Sequence, residues 1–324
     1  MKKLCLVMYV FGDKYQEYIP LFLLSLFKEY PDYGVRIYLD RDLQDGVRNN
    51  MNMFLENDVN IIENYDDGLA LTTKARKFEQ IGKSIRWLVY DPAFEEYEAI
   101  YIGDIDILFF AESSPMFEEH IRHCELLGKP FSNICREHRL NKRMLPKSLA
   151  KNIIKFGIKQ SIKFYIDRKT SIKKLTGLHF VKTHEYYPAL LKIRENYVNE
   201  LNLLAEGKSK KYDLCSFNNE SLLYDMMVEC GFGETPEAEP GYNIATDGGQ
   251  LSYRPHHGIH LGIFRGIGIM KNEKNLIESQ AYKNFYASFE KLADTDEYKK
   301  IENNLSENIK ELISNMRKYY ANIV

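Results

Sequence analysis

Two carboxylates one residue apart interrupt an apolar run, Ala99-Ile100-Tyr101-Ile102-Gly103-Asp104-Ile105-Asp106-Ile107-Leu108-Phe109-Phe110. Burying such charges unpaired is costly, so something must compensate them. A divalent cation does this well. In an extended segment residues i and i+2 point the same way. Asp104 and Asp106 could then reach one hard cation through oxygen ligands, with positions left open for a diphosphate. Ligands of open α/β sheets collect beyond the carboxyl ends of strands, and this pair follows an apolar strand. The competing reading is a pair of solvated turn aspartates.

Two other groups of residues could do chemistry. His256, His257 and His260 cluster after Pro255. Their readings are a zinc site, ligands of the carboxylates' cation, or ordinary surface and core histidines. Lys147, Lys151, Lys155, Lys159 and Lys163 recur every four residues beside Ile154, Ile158 and Ile162. This spacing predicts a basic amphipathic helix over 147–165. Such a helix either covers the domain or docks on an anionic membrane surface or lipid-diphosphate acceptor. Docking would gain about 1 kcal/mol per basic residue near an anionic leaflet. No nucleic-acid-binding motif accompanies the charges, so nucleic acid is not an expected partner.

The elements that must position these groups follow from periodicity. Lys3–Val10 is apolar on both faces, as in a buried parallel strand. Ile19–Tyr30 reads as a helix with Pro20 in its first turn. Val35–Leu39 and Asn60–Ile62 read as strands, 74–90 as a helix and Ala99–Ile102 as a further strand. This alternation predicts a parallel or mixed α/β sheet. Thr176–Lys182 reads as a strand, and His184–Glu206 and Asn219–Cys230 read as helices. Glu234–Pro255 is rich in Gly and Pro and reads as loop with short strands. Lys271–Val324 reads as two helices packed on the core.

Composition narrows the class. The chain has 324 residues, a 44% apolar fraction and a net charge of −2, as in a soluble globular protein rather than a polyanion binder. Locally the balance breaks: from Arg136 to Lys174, 13 Lys and Arg stand against Glu137 and Asp167. Five cysteines, none in a CxxC pair, read as free thiols in a reducing compartment. No run approaches the roughly 18 apolar residues of a transmembrane helix, so the expected location is cytoplasmic, with peripheral contact to the inner membrane face.

With these readings in place, the chain resembles the GT-A glycosyltransferases, in particular the glycogenin and lipopolysaccharide galactosyltransferase group. Ser84–Pro92 followed by Tyr97–Ile107 is similar to that group's arginine-bearing helix and Asp-x-Asp strand. Tyr9-Val10-Phe11-Gly12-Asp13-Lys14-Tyr15 is similar to its nucleoside-binding strand end. Thr176-Gly177-Leu178-His179-Phe180-Val181 is similar to its strand beside sugar and acceptor. Ile259-His260-Leu261-Gly262 is similar to its late metal-ligating histidine element.

The resemblance implies a mixed Rossmann-like sheet with flanking helices over 1–270, a basic insert at about 140–174 and a helical extension over 271–324. It implies Mn²⁺ or Mg²⁺ held by Asp104, Asp106 and His260. It places a UDP-sugar against Tyr9, Val10, Phe11, Lys14, Tyr15, Ile105 and Asp104, with Arg86 and Arg265 as phosphate clamps. On the acceptor side it points to Glu220, His179 and Asp213, with Asn219, Asp225 and Asp247 as alternatives.

The expected activity is transfer of a hexose to a glycan or lipid-linked saccharide, in bacterial surface polysaccharide synthesis. The alternatives are a sugar-phosphate nucleotidyltransferase and a non-catalytic nucleotide-sugar or glycan-binding protein. The first would need a Gly-rich, basic phosphate loop after the first strand, which Val10–Lys14 does not supply.

Overall fold

The computed structural model describes residues 1–65, 69–112, 114–139, 171–235 and 257–322, together with 153–154, 157–158 and 161. The expected basic helix over 147–165, the loop over 236–255, Asp247 and His256 lie largely or wholly outside the described residues.

The central sheet has the order β3(Val59–Ile62)–β2(Gly34–Leu39)–β1(Lys2–Val10)–β4(Tyr97–Gly103)–β9(His179–Lys182)–β6(Phe131–Ser132). β1 runs parallel to both β2 and β4, and β2 parallel to β3. β9 is antiparallel to β4 and to β6, so the sheet is mixed. Leu4, Leu6, Met8 and Val10 face one apolar layer, while Cys5 and Val7 face the other. The first strand is therefore buried on both sides, as its unbroken apolar run requires.

After β1 the chain winds outward through β2 to β3, and then returns to the other side of β1 as β4. The direction of winding reverses between β1 and β4. That reversal opens a crevice at their carboxyl ends, the ligand position of open α/β sheets.

Helices α1(Asp13–Gln16), α2(Ile19–Glu29) and α3(Asp45–Asn50) lie along the first half of the chain. The helix expected over 74–90 is instead broken into α4(Thr73–Lys77), α5(Glu79–Ser84) and a 3-10 turn over Ile85–Trp87. Phe78 leaves the helical region, at φ −82° and ψ 114°, and stands as the N-cap of α5. Beyond α6(Met116–Leu127), the strand expected over 176–182 is also split. β7(Cys135–Arg139) and β8(Ser171–Leu175) form an antiparallel ribbon, and a turn at 176–178 leads into β9.

The buried Asn133 causes that turn. Its Nδ2 donates to the Thr176 carbonyl at 3.2 Å and the Leu178 carbonyl at 3.0 Å, and its Oδ1 accepts the Thr176 N–H at 2.9 Å. Helices α7(Thr183–Ala205) and α8(Asn219–Met227) follow close to their expected bounds.

The C-terminal part holds more than two helices: α9(Ile267–Asn272), α10(Lys274–Ile277), α11(Gln280–Ala293), α12(Asp296–Glu302) and α13(Glu307–Ala321). Capping hydroxyls cut it up. Ser279 accepts the Tyr282 N–H and Thr295 accepts the Tyr298 N–H, each at 3.3 Å. These helices share one apolar layer with β1, β2 and α2. Among the described residues, no helix is long and apolar enough to cross a membrane.

A separate two-stranded ribbon pairs β5(Ile107–Phe109) with β10(Gly258–His260), antiparallel. Ser25 on α2 fastens it. The Ser25 hydroxyl accepts the buried Phe109 N–H at 3.0 Å and donates to the Phe22 carbonyl at 3.0 Å. Removing it strands a buried donor, which typically costs about 1–3 kcal/mol. Ser25→Ala is therefore expected to lower the unfolding free energy by that amount, seen as a lower urea midpoint at an unchanged denaturant slope in fluorescence-monitored unfolding.

Candidate active site

Asp104 and Asp106 sit in the turn that joins β4 to β5. β4 delivers them to the crevice, and β5 carries the chain back into the apolar layer. Asp104 is about one-third exposed, whereas Asp106 is buried. A buried carboxylate needs opposite charge, and the chain brings it from far away in sequence. His260 Nε2 lies 3.3 Å from Asp106 Oδ1, and Arg265 Nη2 donates to Asp106 Oδ2 at 3.2 Å. Burial opposes charge on both Asp106 and His260, but their mutual attraction wins. The Asp106 pKa is lowered, with Arg265 contributing, and the His260 pKa is raised.

Asp104 has its own partner. Arg86 Nη1 donates to Asp104 Oδ1, and Arg86 Nη2 donates to Asn219 Oδ1 at 3.3 Å. The Arg86 guanidinium lies 4.2 Å from the centre of the Trp87 ring, which holds its plane. Asn219 is fixed in turn by Gln80, whose Oε1 accepts its amide at 3.0 Å.

These groups line a cavity of about 470 Å³. Its walls come from Tyr9, Val10, Phe11 and Tyr15 after β1, from Glu79, Gln80, Lys83 and Arg86 around α5, and from Gly103 to Asp106. Asn218, Asn219 and Glu220 at the start of α8, with His260 and Arg265, complete them. The Arg265 guanidinium also stands 5.8 Å from the Tyr15 ring centre. Asp40 accepts the Gly12 N–H at 2.9 Å, which fixes the chain as it leaves β1.

Most residues expected at the site meet in this cavity, but several do not. Lys14 is exposed and lies outside the wall. His179 is fully buried on β9, ringed by Trp87, Phe131 and Tyr186. Its Nδ1 meets the Asn133 amide at 3.0 Å, and burial pulls its pKa down to about 3. It is a core histidine and is corrected from the acceptor side. Asp213 lies outside the wall and accepts the Cys215 N–H at 2.8 Å, as a turn residue. Asp225 accepts the Tyr212 hydroxyl at 2.8 Å, pinning a loop. His257 does not join His260. It points into a buried group with His120 and Glu112.

Sequence reading missed Gln80 and Lys83. With Arg86 they recur every three residues, a polar stripe that one face of a helical segment would present. Glu220 lies on the cavity wall, with Oε1 at 3.5 Å from Arg136 Nη2.

Two glycines keep the charged groups close. A Cβ on Gly262 would stand 2.9 Å from Asp106 Oδ2 and 3.0 Å from His260 Nε2. A Cβ on Gly177 would stand 3.2 Å from Arg86 Nη2 and 3.5 Å from Glu220 Oε1. Asp106 and His260 meet at the Gly262 cradle, a carboxylate and an imidazole of the kind that suits Mn²⁺ better than Mg²⁺, whereas Asp104 is turned toward Gly177. Among the described residues, these three do not bring ligand atoms within 4.8 Å of one another.

No protein-family model matches the chain, and no curated protein matches its sequence. Solved structures do. Core-mannan synthase A from Aspergillus fumigatus, in its Mn/GDP form, is 9% identical with a TM-score of 0.42, covering 69% of each chain. Galactosyltransferase LgtC, in complex with donor and acceptor sugar analogues, is 12% identical with a TM-score of 0.35, covering 68% of this chain and 69% of that one. Glycosyltransferase GlyE from Streptococcus pneumoniae TIGR4 is 11% identical with a TM-score of 0.43. That match covers 95% of this chain but only 64% of GlyE. All three are glycosyltransferases. The likeness assigns no donor, acceptor or residue role to this chain.

Gly262 offers a direct probe of the cradle. Should the cradle hold Mn²⁺, Gly262→Ala would disturb both Asp106 and His260 and weaken binding by about tenfold, the size of effect that displaced metal-site partners have, while the protein stays folded. Calorimetric titration with MnCl₂ beside a melting curve checks both.

Proposed function

We propose that the protein is a metal-dependent glycosyltransferase that moves a hexose from a UDP-sugar to a saccharide or lipid-linked saccharide acceptor. One observation carries this reading. Asp104, Asp106 and His260 line one cavity beyond the carboxyl ends of β1 and β4, with Asp106 and His260 in contact and Arg86 and Arg265 on the same wall.

Transfer from a nucleotide diphosphate sugar releases a diphosphate, whose growing charge must be neutralised. Asp104, Asp106 and His260 would hold Mn²⁺, which supplies Lewis-acid stabilisation of the leaving oxygens. Arg86 and Arg265 add fixed positive charge on the same wall. Tyr9, Val10 and Phe11 offer backbone groups and rings to the nucleoside, and Tyr15 lies beside Arg265. Glu220 is the carboxylate on the opposite wall, near Arg136 and the 176–178 turn. It would orient the acceptor hydroxyl.

The basic run from Arg136 to Lys174 favours an anionic, lipid-linked acceptor, met at the cytoplasmic face of a membrane. The nucleotidyltransferase alternative loses ground, because Lys14, the basic residue after β1, is not on the cavity wall.

A screen of nucleotide sugars for nucleoside diphosphate release, with and without Mn²⁺, tests this reading. UDP release from at least one UDP-sugar, dependent on Mn²⁺ and raised by acceptor glycan, is expected. Asp106→Ala should abolish both the release and Mn²⁺-dependent UDP binding. Undiminished, metal-independent transfer by that variant would refute the assignment.

A further inference from the structure

A chain of buried polar side chains lies at the far end of the β5–β10 ribbon from the cavity. Glu112 follows β5, and His257 precedes β10. His257 Nδ1 is 3.0 Å from Glu112 Oε1, and its Nε2 is 2.8 Å from His120 Nε2 on α6. His120 Nδ1 is 2.7 Å from Ser132 Oγ on β6, and His123 Nδ1 is 2.8 Å from the same oxygen. His257, His120 and Ser132 are almost completely buried. The Tyr101 ring covers both His120 and His257.

Hydrogen-bond valence orders this chain. An ionised Glu112 only accepts, so His257 donates from Nδ1. Neutral His257 then accepts at Nε2 from His120 Nε2–H. Neutral His120 accepts at Nδ1 from the Ser132 hydroxyl, which in turn accepts from His123 Nδ1–H. With Glu112 ionised, this one direction leaves every imidazole neutral and every link made. Burial, with His257, His123 and His179 close by, holds His120 far below its ordinary pKa, and burial brings His123 down to about 4. Glu119 and Arg122 are the other charged groups facing it.

The ribbon joins this chain to the cavity. The Phe110 N–H donates to the His257 carbonyl at 3.1 Å at one end. The Leu261 N–H donates to the Asp106 carbonyl at 2.9 Å at the other. Between them His260 faces Ile107 and Gly258 faces Phe109. Holding His257 therefore holds β10 in register, and the register sets where His260 meets Asp106.

We propose that His120 and His257 are positioning residues for the candidate metal site, anchoring β10 so that His260 is held at Asp106. The inference rests on the proposed metal-dependent reading.

The test titrates MnCl₂ into the full chain with UDP present and records melting curves alongside. His120→Phe keeps the ring volume but removes both links, and is expected to weaken Mn²⁺ binding about tenfold, as outer-shell changes do. His120→Gln keeps an amide donor where Nε2–H points to His257, and is expected to bind within about threefold of wild type. Should His120→Phe fail to fold, Ser132→Ala, which interrupts the chain without a large side chain, should show a loss in the same direction. Leu201→Ala, in the other apolar layer, controls for destabilisation and should leave the affinity unchanged.

Equal Mn²⁺ affinity in the His120 and Ser132 variants, with only their melting temperatures lowered, would overturn the positioning role and leave the metal-site reading standing. Wild type that binds no Mn²⁺ would overturn both. Glu112, Glu119 and His257 also have ligand atoms within 4.8 Å of one another. A second metal ion per chain, lost in Glu112→Gln but kept in Asp106→Ala, would therefore overturn the hydrogen-bond reading.

Discussion

The fold is organised around keeping one buried carboxylate charged. Asp106 lies where β4 ends and the chain doubles back into an apolar layer. An ionised group there is tolerable only with opposite charge in contact. That charge comes from His260 and Arg265, more than 150 positions away in the chain. The late segment must therefore pass the β4–β5 turn at hydrogen-bonding distance. The β5–β10 ribbon enforces this, with Ser25 fastening it from α2 and the C-terminal helices packed behind it. Asn315 on α13 donates to the Phe264 carbonyl at 3.2 Å, within the segment that links His260 to Arg265.

Each carboxylate of the pair has its own cation: Asp104 has Arg86, and Asp106 has His260 and Arg265. The cavity thus carries fixed charges of both signs at short range. Groups held this way need little reorganisation when a charged ligand arrives, which is the basis of electrostatic preorganisation. Gly262 belongs to the same design, since a Cβ there would press on both Asp106 and His260.

The cavity wall at β1 and β4 was largely legible in the sequence, because its residues sit at the ends of apolar strands. Tyr9, Val10 and Phe11 close β1, and Asp104 and Asp106 close β4, so period and polarity locate them. What failed depends on side chains that act across the sheet. His179 falls on alternation that points it to one face, but both faces of β9 are covered, so its face did not decide its exposure. The turn at 176–178 is made by Asn133, a residue 43 positions before Thr176 that no local pattern connects to it. The break at Phe78 likewise has no Pro or Gly to announce it. The C-terminal region reads in sequence as two helices. Ser279, Thr295 and Ser306 stand at the helix starts that divide it further, cap signals that the spacing of apolar residues alone does not register.

The wall facing β1 and β4 is built less regularly, and the difference has a structural cause. The β1–β4 wall rests on strands of a continuous sheet, whereas the opposite wall rests on a turn, the start of α8 and the β7–β8 ribbon. That ribbon brackets the basic segment between 139 and 171. Its base is anchored at the cavity: Arg136 reaches Glu220 at 3.5 Å, and Lys173 pairs with Glu234 at 2.8 Å. The ribbon that brackets this positive charge in the sequence therefore meets Glu220, a cavity carboxylate outside the Asp104–Asp106 pair. An acceptor drawn in by that charge would arrive next to Glu220. Under the proposed reading, the segment and the wall it springs from would act on the same choice of acceptor, while the carboxylates across the cavity would serve the donor.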